Sequence, residues 1–131
     1  MGELRAKVFE YAIEVGRDGT TSLPGGASLE LPAEWTPDHL LLAALVRCSI
    51  ESLAYHARLA GRVLEASGSA SGRVTRRESD GRYAFVEIDC RIEAALTPPA
   101  ADPSELIEKA ERDCFVGATL AVKPRYTWRL G

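Results

Sequence analysis

The sequence predicts an α+β fold in which antiparallel sheets wrap around one long buried central helix. Three observations predict it: β-type segments precede residue 36, an apolar helical segment covers residues 37–60, and two long alternating segments follow. Runs of strands followed by helices favour α+β over alternating βαβ units. With 131 residues the chain has the length of one domain, which we assign to residues 1–131.

The N-terminal segment predicts a small set of β-strands. Residues 4–15 alternate between apolar and polar side chains, as a half-buried strand does, and Gly-Arg-Asp-Gly at 16–19 has the composition of a tight turn. Residues 20–23 and 28–31 predict two further short strands, separated by Pro-Gly-Gly at 24–26.

The central helix has clear start and stop signals. Thr36 predicts an N-cap, Pro37 occupies the first helical position and Asp38 places an acid in the first turn. The helix is expected to end near Ala60, with Gly61 as its C-terminal stop.

The first half of this helix is apolar on every face. Residues 40–46 predict burial on all sides, whereas four later residues, Ser49, Ser52, His56 and Arg58, predict a wetter side. One sheet of this size can hardly cover such a helix. We therefore expect a homodimer in which two copies of the helix pack together between the sheets.

The second half of the chain predicts a hairpin followed by helices. Residues 63–79 and 82–97 are β-type segments joined by Asp80-Gly81, and alternation in the second predicts one core face and one solvent face. The remaining predictions are a helix over 103–112 with a capping box from Asp102 to Glu105, a helical piece over 116–122 and a last strand over 123–130.

Composition excludes several partners. Charged residues make up 27% and hydrophobic residues 46%, which is typical of a globular protein, and the net charge is −3. The mixed charges form no basic stripe for nucleic acid and no polybasic membrane segment. The longest apolar run is far shorter than a bilayer span, and no signal-peptide pattern is present. We therefore expect a cytoplasmic protein with no nucleic-acid or membrane partner.

The three cysteines must be judged one at a time, because they show no CxxC motif and no disulfide-framework spacing. Cys48 could be an inert core thiol or a reactive thiol. Cys90 lies on the apolar face of a strand, which favours a structural role. Cys114 follows a charged helical run and could simply pack at a helix end. His39 and His56 lack metal-ligand spacing with any cysteine, so we expect neither a metal nor a cofactor.

Several of these features together resemble the OsmC/Ohr family of organic hydroperoxide reductases. Residues 36–40 (Thr-Pro-Asp-His-Leu), followed by Ala43-Ala44 and Cys48, resemble the family helix that bears the peroxidatic cysteine. Residues 16–19 resemble the Gly-Arg-Asp-Gly hairpin of the Ohr branch, and residues 110–114 resemble the segment that carries the second cysteine. The order of elements is also that of the family.

The resemblance implies the OsmC-like fold, an intertwined homodimer and a thiol peroxidase acting on alkyl or lipid hydroperoxides. It implies that Cys48 attacks the peroxide, that Cys114 resolves the sulfenic acid, and that Arg17, oriented by Asp38, stabilises the Cys48 thiolate. It also implies an external dithiol or small-thiol reductant. Arg47 is the second candidate for the cation, since it leaves the helix about 100° away from Cys48.

Two differences from the family pattern leave alternatives open. Asp38 stands where the family usually has glutamate, and Phe115-Val116-Gly117 stands where it has proline, a hydrophobic residue and serine. One alternative is a non-catalytic OsmC-like dimer that binds a small ligand or a thiol. The other is a hot-dog-like acyl-thioester hydrolase that uses Asp38 or His39.

Overall fold

The N-terminal part of the chain forms a meander of three very short strands. In the computed structural model, which describes residues 6–131, β1 (Glu14–Val15) pairs antiparallel with β2 (Thr21–Ser22), and β2 pairs antiparallel with β3 (Ser28–Leu29). These strands belong to one compact unit that ends at Trp35, while Thr36–Gly131 form a second. The assignment of the chain to a single domain stays a prediction.

The N-terminal strands are shorter than the alternation predicts. Residues 6–13 have no strand pairing, so the described part of the predicted strand over 4–15 is paired only at its end; residues 4 and 5 lie outside the described residues. The predicted turn is present, because Gly19 N–H donates to Gly16 C=O at 3.0 Å. Gly19 has φ +85°, a left-handed conformation that glycine adopts without steric cost.

The central helix α1 (Pro37–Leu59) begins and ends where the sequence predicts. Thr36 Oγ1 accepts the His39 N–H at 3.3 Å, and His39 Nδ1 accepts the Thr36 N–H at 3.2 Å. These two bonds form a capping box, which satisfies donors that a helix start leaves unpaired. After the helix, Gly61 has φ +73° and closes the last turn by donating to Arg58 C=O.

The apolar half of α1 is only partly covered. Within residues 40–46 only Leu45 is fully buried, and the other six side chains are half-buried. The elements of one chain thus leave these side chains partly accessible, and their burial on all sides, which is expected with a second copy, stays a prediction. This leaves apolar area that a second copy could cover.

In length and mean hydropathy α1 also meets the requirements of a membrane-crossing helix. Core helices of soluble proteins meet the same test. The second half of α1 carries buried Ser49, Ser52 and His56, which bond to other elements of the same unit, as expected of a core helix. The absence of a membrane partner stays a prediction.

A three-stranded sheet provides the surface on which α1 packs. Its order is β4 (Val63–Arg76), β5 (Tyr83–Thr97) and β6 (Arg125–Leu130). The first two strands pair antiparallel as predicted, whereas β6 runs parallel to β5, so an entirely antiparallel sheet is wrong. The parallel pairing is possible because two helices separate β5 from β6 and return the chain to the same end of the sheet.

The alternation in β5 has the predicted faces. Ile88, Cys90 and Ile92 are buried, and they form the core with Leu45 and Leu53 of α1. The residues between them face outward, where the Asp89 carboxylate accepts two hydrogen bonds of 3.0 Å from the Arg125 guanidinium of β6.

Two short helices connect β5 to β6. These are α2 (Ser104–Arg112) and α3 (Phe115–Thr119), and α1 packs against both. The predicted capping box from Asp102 to Glu105 is wrong, because Pro103 is the N-cap and its side chain makes no capping bond. Asp102 Oδ1 instead accepts the Ser104 N–H at 3.0 Å.

Candidate active site

Cys48 lies in the middle of α1, half-buried, on the side that faces α3. Its Sγ accepts the Val116 N–H at 3.5 Å, so the sulfur meets the first turn of α3. Burial raises the pKa of the Cys48 thiol, and the Cys114 thiol raises it further, while the backbone N–H groups of Val116 and Phe115 lower it. In the described part of the chain no cation is among the groups that shift this pKa.

Cys114 lies beside Cys48 at the start of α3. It is fully buried and is the N-cap of α3, where its Sγ accepts the Gly117 N–H at 3.4 Å. The two thiols are neighbours, because Cys48 Sγ and Cys114 Sγ accept the N–H groups of Val116 and Gly117, adjacent residues in the first turn of α3. Both are free thiols. The structure thus brings together the two cysteines to which the resemblance assigns redox roles, although they are 66 positions apart in the sequence.

A buried polar cluster surrounds Cys114, and no sequence pattern predicted it. Ser49 Oγ lies 3.7 Å from Cys114 Sγ and 3.5 Å from Tyr126 Oη, and it donates to Leu45 C=O at 2.8 Å. Burial raises the pKa of Tyr126 to about 12, with smaller contributions from the nearby Cys114 and Cys90 thiols. Tyr126 is therefore a neutral phenol at physiological pH and holds no charge near the sulfurs.

Cys90 belongs to the edge of this cluster. It is fully buried, and in the β5–β6 register it pairs with Tyr126. Burial raises the pKa of its thiol, whereas a hydrogen bond with Ser49 lowers it. Its position agrees with the structural role that the strand pattern predicts.

Polar side chains of α1 face α2 and α3 rather than solvent. Ser52 Oγ donates to Ala110 C=O at 2.8 Å, and His56 Nε2 lies 2.7 Å from Asp113 Oδ2. The predicted wetter side is therefore wrong for Ser49, Ser52 and His56, which are buried because each finds a hydrogen-bond partner on the connecting helices. Arg58, the remaining residue of the predicted wetter side, is exposed as predicted.

The other two predicted site residues lie at exposed positions. Arg17 is in the turn of the N-terminal unit, and Asp38 is in the first turn of α1 in the second unit. Contacts of Arg17 with Asp38 or with Cys48 would join the two units, and they stay a prediction. Arg47, the second candidate for the cation, is exposed on α1.

No metal centre is evident among residues 6–131, because they contain no group of three or more His, Cys, Asp or Glu side chains that could hold an ion. His39, one candidate base for a thioester hydrolase, uses Nδ1 in the capping box with Thr36. The second unit therefore brings two free thiols, Cys48 and Cys114, to the first turn of α3.

The comparisons with known proteins agree with this fold. The sequence matches the family model of OsmC-like protein over residues 29–129. An OsmC-like protein from Mycoplasma pneumoniae is 17% identical, with a TM-score of 0.70, and the alignment covers 96% of this chain and 99% of that chain. No curated protein matches the sequence.

Two structures of organic hydroperoxide resistance proteins are also similar. OhrB of Bacillus subtilis is 19% identical with a TM-score of 0.55, covering 92% of this chain and 95% of that chain. The protein from Elizabethkingia anophelis is 18% identical with a TM-score of 0.63, covering 97% of this chain and 100% of that chain. At these identities the structural similarity establishes the fold alone.

Proposed function

The chain belongs to the OsmC-like protein family, and from this premise we propose that it is a thiol peroxidase that reduces organic hydroperoxides to alcohols. The observation that carries the proposal is the adjacency of Cys48 and Cys114, whose sulfurs accept hydrogen bonds from neighbouring amides at the start of α3. Two similar structures are named organic hydroperoxide resistance proteins, which supports the proposal.

The proposed reaction has two steps at these sulfurs. The Cys48 thiolate attacks the distal oxygen of the hydroperoxide, the O–O bond breaks, and the alkoxide leaves as the alcohol after taking a proton. Sulfur is thereby oxidised by two electrons to a sulfenic acid. Cys114 then attacks this sulfur, the S–S bond forms, the S–O bond breaks and water leaves. An external dithiol or small thiol reduces the disulfide by exchange and restores both thiols.

The first step needs a cation near Cys48, and among the described residues no cation shifts the pKa of this thiol. Burial and the neighbouring thiol both raise the pKa of Cys48, and the two backbone amides oppose them only in part. We assign the cation to Arg17 and its orientation to Asp38. A unit charge about 4 Å from the sulfur is worth roughly 4 kcal/mol at an effective dielectric constant near 20, enough to offset moderate desolvation.

A homodimer completes the proposal. The half-buried side chains of residues 40–46 would be covered by the same helix of a second copy. Such an interface would keep water away from Cys48 and create apolar surroundings for an alkyl chain. The proposed location is cytoplasmic, where a reducing environment keeps all three cysteines as thiols.

Substrate preference tests the proposed function. With a dithiol reductant, we expect cumene hydroperoxide to be consumed roughly tenfold or more faster than hydrogen peroxide at equal concentration, because only the organic peroxide gains from burying an apolar group. Colorimetric measurement of the remaining peroxide provides both rates. No consumption of either peroxide, or equal rates, would contradict this expectation.

One alternative retains an observation in its favour. A non-catalytic OsmC-like dimer that binds a small ligand or a thiol is consistent with the raised pKa of Cys48, because a protonated thiol is a poor nucleophile. A slow, stoichiometric reaction of Cys48 with peroxide, without turnover in the presence of dithiol, would favour that alternative.

A further inference from the structure

The His56 imidazole is a buried polar group for which the proposed reaction has no role so far. It lies on α1 eight positions after Cys48, about two helical turns, and its side chain is only 9% exposed. Its Nε2 lies 2.7 Å from Asp113 Oδ2. Asp113 directly precedes Cys114, so this contact ties the backbone next to the second thiol to the helix that carries the first.

Asp113 is a fixed anion at neutral pH. The Arg112 guanidinium, which donates from Nε and Nη2 to the two carboxylate oxygens at 3.0 Å each, lowers the pKa of Asp113 to about 2, and the bond with His56 contributes to the same shift. Hydrogen bonds to an ionised carboxylate are stronger and more directional than those between neutral groups. The His56–Asp113 contact is therefore a firm attachment point.

This contact is one of four between side chains of α1 and residues 110–116, and one of the others is the 3.7 Å contact of Ser49 Oγ with Cys114 Sγ. At one end Ser52 Oγ bonds Ala110 C=O, and at the other the Val116 N–H bonds Cys48 Sγ. Asp113 lies between these ends in the sequence, immediately before Cys114, and its partner His56 lies one turn after Ser52 on α1. The position of the Cys114 sulfur relative to the Cys48 sulfur is therefore set from both sides.

We propose that His56 and Asp113 act as a positioning pair that holds Cys114 in place to form a disulfide with Cys48. The inference rests on the proposed function and deepens it, since it concerns the second step. Neither side chain has a chemical role in breaking the O–O bond. The pair acts when Cys114 attacks the Cys48 sulfenic acid, where the S–S bond forms, the S–O bond breaks and water leaves. Attack of Cys48 on the peroxide does not depend on it.

Asp113→Asn tests the pair, because it removes the charge with little change in shape at a side chain that is 40% exposed. Reduced protein is mixed with cumene hydroperoxide, and samples quenched with dimedone, which traps sulfenic acid, are measured by intact mass. We expect sulfenic acid to form at the wild-type rate and the disulfide to form about ten- to a hundredfold more slowly. With excess peroxide, more Cys48 is expected to reach the sulfinic acid.

Two further variants separate positioning from general stability. Glu105→Gln removes the exposed ion pair with Lys109 (2.9 Å) in α2, the helix that ends just before Asp113. This pair lies away from Cys114, so the variant is expected to behave as wild type. His56→Gln keeps a neutral donor that can reach the carboxylate, and is expected to form the disulfide faster than Asp113→Asn. The proposal is overturned if Asp113→Asn and Glu105→Gln form the disulfide equally fast, or if Asp113→Asn slows both steps alike.

A peroxide-free measurement keeps this test independent of peroxidase activity. In glutathione redox buffers, Cys114 attacks a mixed disulfide of Cys48 with glutathione, and reduced glutathione leaves. The equilibrium reports the effective concentration of one thiol at the other, which we expect Asp113→Asn to lower about tenfold. An unchanged value overturns the positioning pair. A lowered value in a protein that does not react with peroxide supports the pair and refutes the proposed function alone.

Discussion

Replacing Cys48 by serine is expected to lower the turnover of cumene hydroperoxide by at least about a thousandfold, because a hydroxyl cannot replace a thiolate as the attacking nucleophile. The measurement is peroxide consumption with dithiol present, at equal protein concentration. Cys90→Ala is the matched control, since Cys90 lies in the core on β5 and has no role in the proposed reaction. It is expected to keep most of the activity.

The same variant addresses the thioester hydrolase. That alternative relies on Asp38 or His39 and not on a thiol, so its activity would survive Cys48→Ser. We expect no Cys48-independent hydrolysis of an acyl thioester, because the capping box already engages His39 Nδ1. Thioester turnover that persists in Cys48→Ser would favour the hydrolase and contradict the peroxidase.

Replacing Arg17 by methionine is expected to raise the pKa of Cys48, because a cation about 4 Å from the sulfur stabilises the thiolate by roughly 4 kcal/mol at an effective dielectric constant near 20. A cation favours the thiolate, so its loss moves the midpoint of thiol ionisation to higher pH. The midpoint is measured from the rate of alkylation by iodoacetamide across pH, in a chain that carries Cys90→Ala and Cys114→Ser.

Arg47→Met is the matched control for Arg17. Arg47 adjoins Cys48 in the sequence but points away from it around the helix, and its side chain is exposed. We expect the pH dependence of Cys48 alkylation in Arg47→Met to match that of the chain in which both arginines are intact. If the midpoint of thiol ionisation moves to higher pH in Arg47→Met but not in Arg17→Met, Arg47 and not Arg17 supplies the cation.

The elements with strong local patterns were predictable from sequence. α1 has an N-cap, a proline at its first position and a glycine just after its end, and each of these acts through neighbouring residues only. The β4–β5 hairpin has a turn at Asp80-Gly81 and regular alternation along β5. The predicted ends of α1, β4 and β5 are therefore within a few residues of the observed ends.

Features that depend on distant partners were not predictable in the same way. The alternation over residues 4–15 shows which side chains share a face but not which strand pairs with them, and of the described residues 6–15 only two are paired. The direction of β6 depends on the path through α2 and α3. The burial of Ser49 and His56 depends on partners at Cys114 and Asp113, which lie 65 and 57 positions away along the chain.

Part of the candidate site was predicted, and the prediction came from the family resemblance rather than from local sequence patterns. No local pattern links Cys48 to Cys114, and it was the family resemblance that paired them; the structure places them side by side. The cluster of Ser49, Tyr126 and Cys90 was missed, because a serine beside an apolar helix face and a tyrosine on a terminal strand are ordinary residues in ordinary places.

The central claim is tested most directly by the product formed from one equivalent of cumene hydroperoxide with the reduced wild-type chain. We predict an intact mass lower by two hydrogen atoms and, after proteolysis without reductant, a peptide pair joined through Cys48 and Cys114. Cys90 is predicted to remain a free thiol. An unchanged mass with three alkylatable thiols would contradict the account.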